Sequence, residues 1–213
     1  MSDVLRVQWT ISPQTAPQPW LNCNRCGGSR RFRTTGKIRV NANGKRLDAW
    51  LIYGCLSCGS TWNRPILERQ HVRTIDPRWL MALSANEPAL ARRLAFEVES
   101  LTRRSPRVEA FDDVLVTRKV LSENTLPLRR LEILCIITEA TALRLDRLLA
   151  GELHLSRSRI QKLEEAGELV VLSEGSRLRR SVRDGTRLLI DLSRASDDGM
   201  AMAATRVRGR LSE

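Results

Sequence analysis

Cys23-Asn24-Arg25-Cys26-Gly27 is answered further along the chain by Cys55-Leu56-Ser57-Cys58-Gly59. Two C-x-x-C-G turns with 28 residues between them, positions 27–54, have the spacing of a four-thiolate zinc site in a ribbon of β-structure. A two-residue gap lets a tight turn place both sulfurs on one side of a metal. The glycine after the second cysteine lets backbone N–H groups close on the thiolate. Reduced thiols or two disulfides are the alternative. The expected ligands are Cys23, Cys26, Cys55 and Cys58 and the expected cofactor is Zn²⁺. A closed four-cysteine site has no open position for substrate or water, so by itself it implies no activity.

The chain between the two turns reads as a hairpin. Residues 37–42 alternate through Ile38 and Val40, Asn43-Gly44 is a strong short turn signal, and residues 45–53 return with Leu47, Ala49, Leu51 and Tyr53 on one face. Trp50 and Ile52 fall on the other face. Trp62 reads as a cover over a small metal module with a thin core, with base stacking by Trp62 or Trp50 as the alternative role. Upstream, residues 4–11 alternate as a strand. Residues 12–19 carry Pro13, Pro17 and Pro19 and read as an extended linker or edge segment.

Charge points to a polyanion. The net charge is +12 and the pI about 10.8; only four of the 36 basic residues are lysine, at 37, 45, 119 and 162. Residues 1–80 hold 13 basic and 4 acidic side chains. Arg25, Arg30, Arg31, Arg33, Lys37, Lys45 and Arg46 form the expected basic surface around the cysteine turns, and nucleic acid is the partner such a surface suggests. No run of 18 apolar residues and no leader-like start occur, so no membrane partner is expected. Four cysteines committed to metal suit a reducing cytoplasm.

Downstream, Asp76-Pro77 and Asn86-Glu87-Pro88 are helix starts. Leu90, Leu94, Val98 and Leu101 form one apolar stripe. Residues 114–121 and 131–138 are β-rich and read as a second hairpin, joined through 122–127. Cys135, inside an apolar run, reads as core. Residues 144–149 start a helix; Ser156, or alternatively Ser158 in a capping box with Gln161, caps a second one that Gly167 stops. Short strands follow at 169–172 and 188–192.

The last of these segments resembles the RNA-binding module named after small-subunit ribosomal protein S-four. The resemblance rests on Arg144-Leu145-Asp146, Ser156-Arg157-Ser158-Arg159, Ala166-Gly167, residues 170–175 and residues 185–190. Ser173-Glu174-Gly175 stands where that family has Val-Asn-Gly. The resemblance implies RNA contacts by Arg144, Arg147, Arg157, Arg159 and Lys162, with Arg179, Arg180 and Arg183 from the later loop. Over most of its length the chain also resembles the bacterial family catalogued as domain of unknown function 1062. That resemblance rests on Cys23 to Cys26, residues 43–48, Cys55 to Trp62 and residues 144–149, and it implies no activity.

The expectation is therefore an α+β chain: a β-hairpin zinc ribbon at 1–70, helices with a β-hairpin at 71–143, a small α/β S-four-like module at 144–192 and a mobile tail at 193–213. His71 and His154 read as surface residues and Asp112-Asp113 as a loop pair. No phosphate-cradling loop, paired-histidine helix or nucleophile motif occurs. The function that follows is that of a non-enzymatic, zinc-containing RNA-binding protein acting on structured RNA or ribosomal particles. The alternative is a protein-interaction adaptor or DNA-associated regulator working through the ribbon.

Overall fold

The computed structural model describes residues 3–122 and 129–193. The expected tail from 194 onward and most of the 122–127 connection lie outside the described residues. The chain is α+β and divides into two compact units. One spans Thr15–Phe111; the other joins residues up to Gln14 to the described residues from Asp112 onward. The expected boundaries at 70/71 and 143/144 do not separate these units.

The split begins with β1 (Val4–Pro13), whose alternating pattern buries Leu5, Val7, Trp9 and Ile11. It is the second strand of a five-stranded sheet shared with β7 (Val114–Val120), β8 (Arg130–Ile137), β10 (Thr186–Asp191) and β9 (Leu169–Val171), in the order β7-β1-β8-β10-β9. The two runs expected to form a hairpin do not pair with each other. β7 lies antiparallel on one edge of β1 and β8 parallel on the other. The β1 edge offers both runs a strand whose inward face is wholly apolar, which their own connection cannot supply. Helices α4 (Leu145–Glu152) and α5 (Arg157–Glu165) bury Leu145, Leu148, Leu149, Ile160 and Leu163 in the same core as β1, β8 and β10. Cys135 lies there too, fully buried, and burial pushes its thiol up to about 12.

The Thr15–Phe111 unit is built on a second sheet, in the order β5-β4-β3-β2-β6. Its strands are β2 (Gln18–Cys23), β3 (Gly28–Asn43), β4 (Arg46–Cys55), β5 (Thr61–His71) and β6 (Val108–Glu109). The β3–β4 hairpin forms as expected, but Asn43 pairs with Arg46, so the loop residues are Gly44 and Lys45. Only Gly44 has positive φ, +59°, which matches the turn class that wants glycine first.

Leu47, Ala49, Leu51 and Tyr53 meet helices α1 (Pro77–Ser84), α2 (Pro88–Ala95) and α3 (Val98–Thr102) on one face. Asp76 caps α1 by accepting from the N–H groups of Arg78 and Trp79. The stripe from Leu90 to Leu101 is two helices, not one. The break at Phe96 and Glu97 frees the Glu97 carboxylate to meet Arg64, which is 1% exposed, at 3.5 Å. Among the described residues no helix is long and apolar enough to cross a membrane.

Candidate metal centre and basic helix pair

Cys23 ends β2, Cys55 ends β4, and Cys26 and Cys58 lie in the turns that follow. In each turn the glycine N–H closes back on the first cysteine's carbonyl: Gly27 on Cys23 and Gly59 on Cys55, both at 2.9 Å. Both glycines hold positive φ, +66° and +75°, where a side chain is strained. Strand pairing does the rest. Cys23 pairs with Gly28, and Phe32, four residues along β3, pairs with Cys55, so β3 carries the two turns at one end of the sheet.

All four sulfurs lie within 4.8 Å of one another, with Cys23 and Cys58 at 3.5 Å. A tetrahedron of thiolates around a metal at about 2.3 Å sets sulfurs about 3.8 Å apart. The four residues could therefore hold a metal ion. Charge agrees with geometry, because four sulfurs at this spacing cannot all be negative without a cation among them. The Cys58 thiol is drawn down to about 6, first by the Ser60 hydroxyl 3.2 Å away and then by the Ser60 backbone. Burial works against the Cys55 thiolate, but N–H groups of Ser57 and Cys58 outweigh it and lower its pKa. Cys26 is pushed up to about 12, chiefly by its hydrogen bond with Cys58. An open cleft of ≈ 470 Å³, lined in part by Asn24, Arg25, Thr61 and Cys23, gives a path from solvent. Trp62 packs on the same core, its ring 5.2 Å from Tyr53.

The basic residues named from the sequence are arranged less simply. Asp146, with no exposed side-chain surface, accepts from Arg144 Nε at 3.0 Å, Arg144 Nη2 at 2.7 Å and Arg157 Nη2 at 3.1 Å. Burial alone would raise its pKa; the hydrogen bonds from Arg144 and Arg157 outweigh burial and hold the carboxyl below the usual carboxylate range. Arg144 and Arg157 nevertheless keep 41% and 53% of their side chains exposed.

The later loop docks on the same place. Leu145 N–H donates to Arg180 O, Asp146 N–H to Leu178 O and Val182 N–H to Leu143 O. The backbone that carries Arg179, Arg180 and Arg183 is thereby joined to the start of α4, with Ser181 bridged to Arg144, although more than thirty positions away in sequence. Arg147 turns instead to Asp112. Arg159 and Lys162 are exposed on α5, whose start Ser156 caps by accepting from Arg159 N–H.

Two residues of this site were given no role of their own from the sequence. Asp146 enters there only as part of the Arg144-Leu145-Asp146 helix start; the signal of its role is the pairing of an Arg two residues before it with a second Arg eleven residues on. Ser60 is signalled only by its place two residues after Cys58. The two histidines stay peripheral: His71 accepts from Arg73 N–H at a short turn, and His154 is exposed in a positive-φ connection.

A family described as a protein of unknown function, DUF1062, matches residues 40–175. The chain belongs to that family. No curated protein and no solved structure matches it.

Proposed function

We propose that this chain is a non-enzymatic, zinc-stabilised RNA-binding protein acting on structured RNA or ribosomal particles. The observation that carries the reading is the Arg144–Asp146–Arg157 arrangement. A buried carboxylate fixes two guanidinium groups side by side while about half of each side chain stays exposed. Guanidinium forks held in place lose little freedom when they bind phosphate. Arg159, Lys162, Arg179, Arg180 and Arg183 add charge with no acidic partner among the described residues. Such contacts position an RNA by its backbone and shape, and their affinity falls with salt.

Zinc fits the four thiolates because a closed tetrahedral sulfur site is its usual structural setting. When bound it supplies a fixed cross-link between the β2 and β4 ends. Metal analysis of purified protein is expected to find about one zinc per chain rather than iron. Well-folded protein with no metal would refute the cofactor.

The RNA test is retention on total RNA or ribosomal particles at low ionic strength, compared with the variant Arg159→Glu with Lys162→Glu. These two positions are cleaner probes than Arg157→Glu, which would set a second carboxylate against Asp146. Absence of binding by the wild-type chain even at low salt would sink the reading. A second reading, a DNA-associated regulator or protein adaptor, is favoured by charge: Thr15–Phe111 holds 17 basic and 7 acidic residues, +10 of the chain's +12. Tight capture of duplex DNA unaffected by the Arg159 and Lys162 changes would select it.

A further inference from the structure

The S-four-like contacts leave most of the positive charge unused, and the sheet of the Thr15–Phe111 unit has a second face. Antiparallel partners share a face. Thr34, Ile38 and Val40 pair with Tyr53, Leu51 and Ala49 on the helix-covered side. Arg39 therefore pairs with Trp50, and Arg33 with Gly54, on the opposite side. Trp50 pairs onward with Pro65 and Ile52 with Asn63. Trp50 and Ile52 are half-buried and belong to neither core, whereas Arg33 and Arg39 are exposed. At β2, Trp20 pairs with Arg31. Its ring lies under the guanidinium groups of Arg31 at 6.0 Å and Arg107 at 4.7 Å.

We infer that this open face binds a single-stranded polynucleotide, with Trp50 as a stacking platform and Arg33 and Arg39 as phosphate contacts. The inference rests on the RNA-binding reading but adds a second contact surface, on the unit that does not contain α4 and α5. Charge complementarity selects the occupant. Strand β3 carries five basic residues and no acidic one, and Arg33, Lys37 and Arg39 have no ion-pair partner among the described residues. Acids next to the face are already engaged: Asp48 accepts from Arg69 N–H, and Glu109 from Trp20 and Arg31. An apolar partner would meet uncompensated charge here. A duplex would hide the base faces that a tryptophan stacks on, whereas an unpaired strand offers both base faces and phosphates.

The test is fluorescence anisotropy of the full chain with labelled twenty-nucleotide oligouridylate and oligothymidylate, the two arms separating RNA from DNA, across a salt series. Trp50→Ala is expected to weaken the single strand about tenfold, with Trp50→Phe close to wild type. Arg33→Gln with Arg39→Gln is expected to flatten the slope of log affinity against log salt by about 1.4, from two phosphate contacts at roughly 0.7 each. The Gln pair lies on an exposed surface and keeps the test valid if Trp50→Ala fails to fold. If these variants bind like wild type while Arg159→Glu with Lys162→Glu does not, the open-face inference fails and the RNA reading stands. If the wild-type chain binds no RNA, both fail. Equal binding of a duplex of the same length, or a protein docked at Trp50 that oligouridylate cannot displace, would also overturn the inference.

Discussion

Replacing Asp146 by asparagine tests whether two exposed arginines are surface charge or structural struts. The carboxylate makes three charge-assisted hydrogen bonds, two from Arg144 and one from Arg157. Removing one partner of a buried ion pair costs about 3–5 kcal/mol. Here the arginines are roughly half exposed, so water can take over part of what they lose, and the expected cost falls to about 2–3 kcal/mol. In a unit of this size that lowers its own melting temperature by about 10–20 °C. Two units need not unfold together, so the assay must report locally. Hydrogen exchange followed by mass spectrometry is expected to show lost protection in Leu145–Glu152 and Arg157–Glu165, with Arg46–Cys55 unchanged. Unchanged exchange in both helices would refute the reasoning.

The pH dependence has a defined sign. Asp146 is held below its ordinary range in the folded chain. Its contribution is therefore full above the unfolded value of about 3.9 and is lost as pH falls through the lower folded value. The wild type and Asp146→Asn should differ near neutrality and converge in acid. The same variant separates two accounts of RNA binding. It removes one negative charge, raising the net charge by one, so charge counting predicts tighter binding. If Asp146 acts by positioning Arg144 and Arg157, binding weakens despite the added charge.

Three further outcomes follow from other parts of the fold. Cys23→Ser or Cys58→Ser, or treatment with a strong chelator, should remove the metal and abolish exchange protection at the β2 and β4 ends while α4 and α5 stay protected; protection surviving at both ends would argue against a structural metal. Arg64 is buried with Nε and Nη1 unpartnered, and Glu97 is its one carboxylate partner among the described residues. Arg64→Met should therefore be neutral or stabilising in urea melts, whereas Glu97→Gln should cost about 1–2 kcal/mol by stranding the charge; the reverse order would refute that account. Asn86 sits at φ +51° after α1, its Oδ1 accepting from Ile38 N–H beside the irregular stretch of β3. Asn86→Gly loses only the acceptor, about 1–2 kcal/mol, and Asn86→Ala loses backbone compatibility as well, about 2–4 kcal/mol in total; equal melts for the two would show that φ is irrelevant there.

Much of this arrangement is legible from local signals. The cysteine spacing, the Asn43-Gly44 turn, the Asp76-Pro77 cap and the Ser156 and Gly167 helix limits each depend on residues a few positions apart, and each recurs in the structure to within a residue or two. What the sequence conceals is long-range. Nothing near Val4–Pro13 says that it will sit between Val114–Val120 and Arg130–Ile137, because a strand pattern specifies which face is buried and not which edges it meets. The expected hairpin was the shortest way to pair two adjacent runs, and it lost to a more distant edge with a better apolar face. The same holds at the basic helix pair. Arg144 and Arg157 were identifiable as arginines, but their convergence on one buried carboxylate, with the 177–183 loop docked on the adjoining backbone, depends on a helix turn, a cap and a returning strand acting together.

This changes how the net charge should be read. Counted along the chain, arginine alone does not locate a binding surface, because an arginine paired with a buried acid contributes little net field and much rigidity. In the unit containing α4 and α5, Arg6, Arg118, Arg144, Arg147 and Arg157 each have a carboxylate partner. What these positions offer a ligand is fixed geometry more than free charge. In the cysteine-bearing unit, Arg33, Lys37 and Arg39 lie along a strand that carries no acid, in a sheet whose β2 and β4 ends bring the four cysteines together. A polyanion approaching the chain should therefore be attracted mainly by the second unit, while recognition that depends on shape should depend on the first. On the proposed reading both contributions weaken with salt, since each rests on phosphate contacts, but substitution separates them. Arg33→Gln with Arg39→Gln removes two such contacts and should flatten the salt slope, whereas Asp146→Asn removes none and should lower RNA affinity by a similar factor across the salt series.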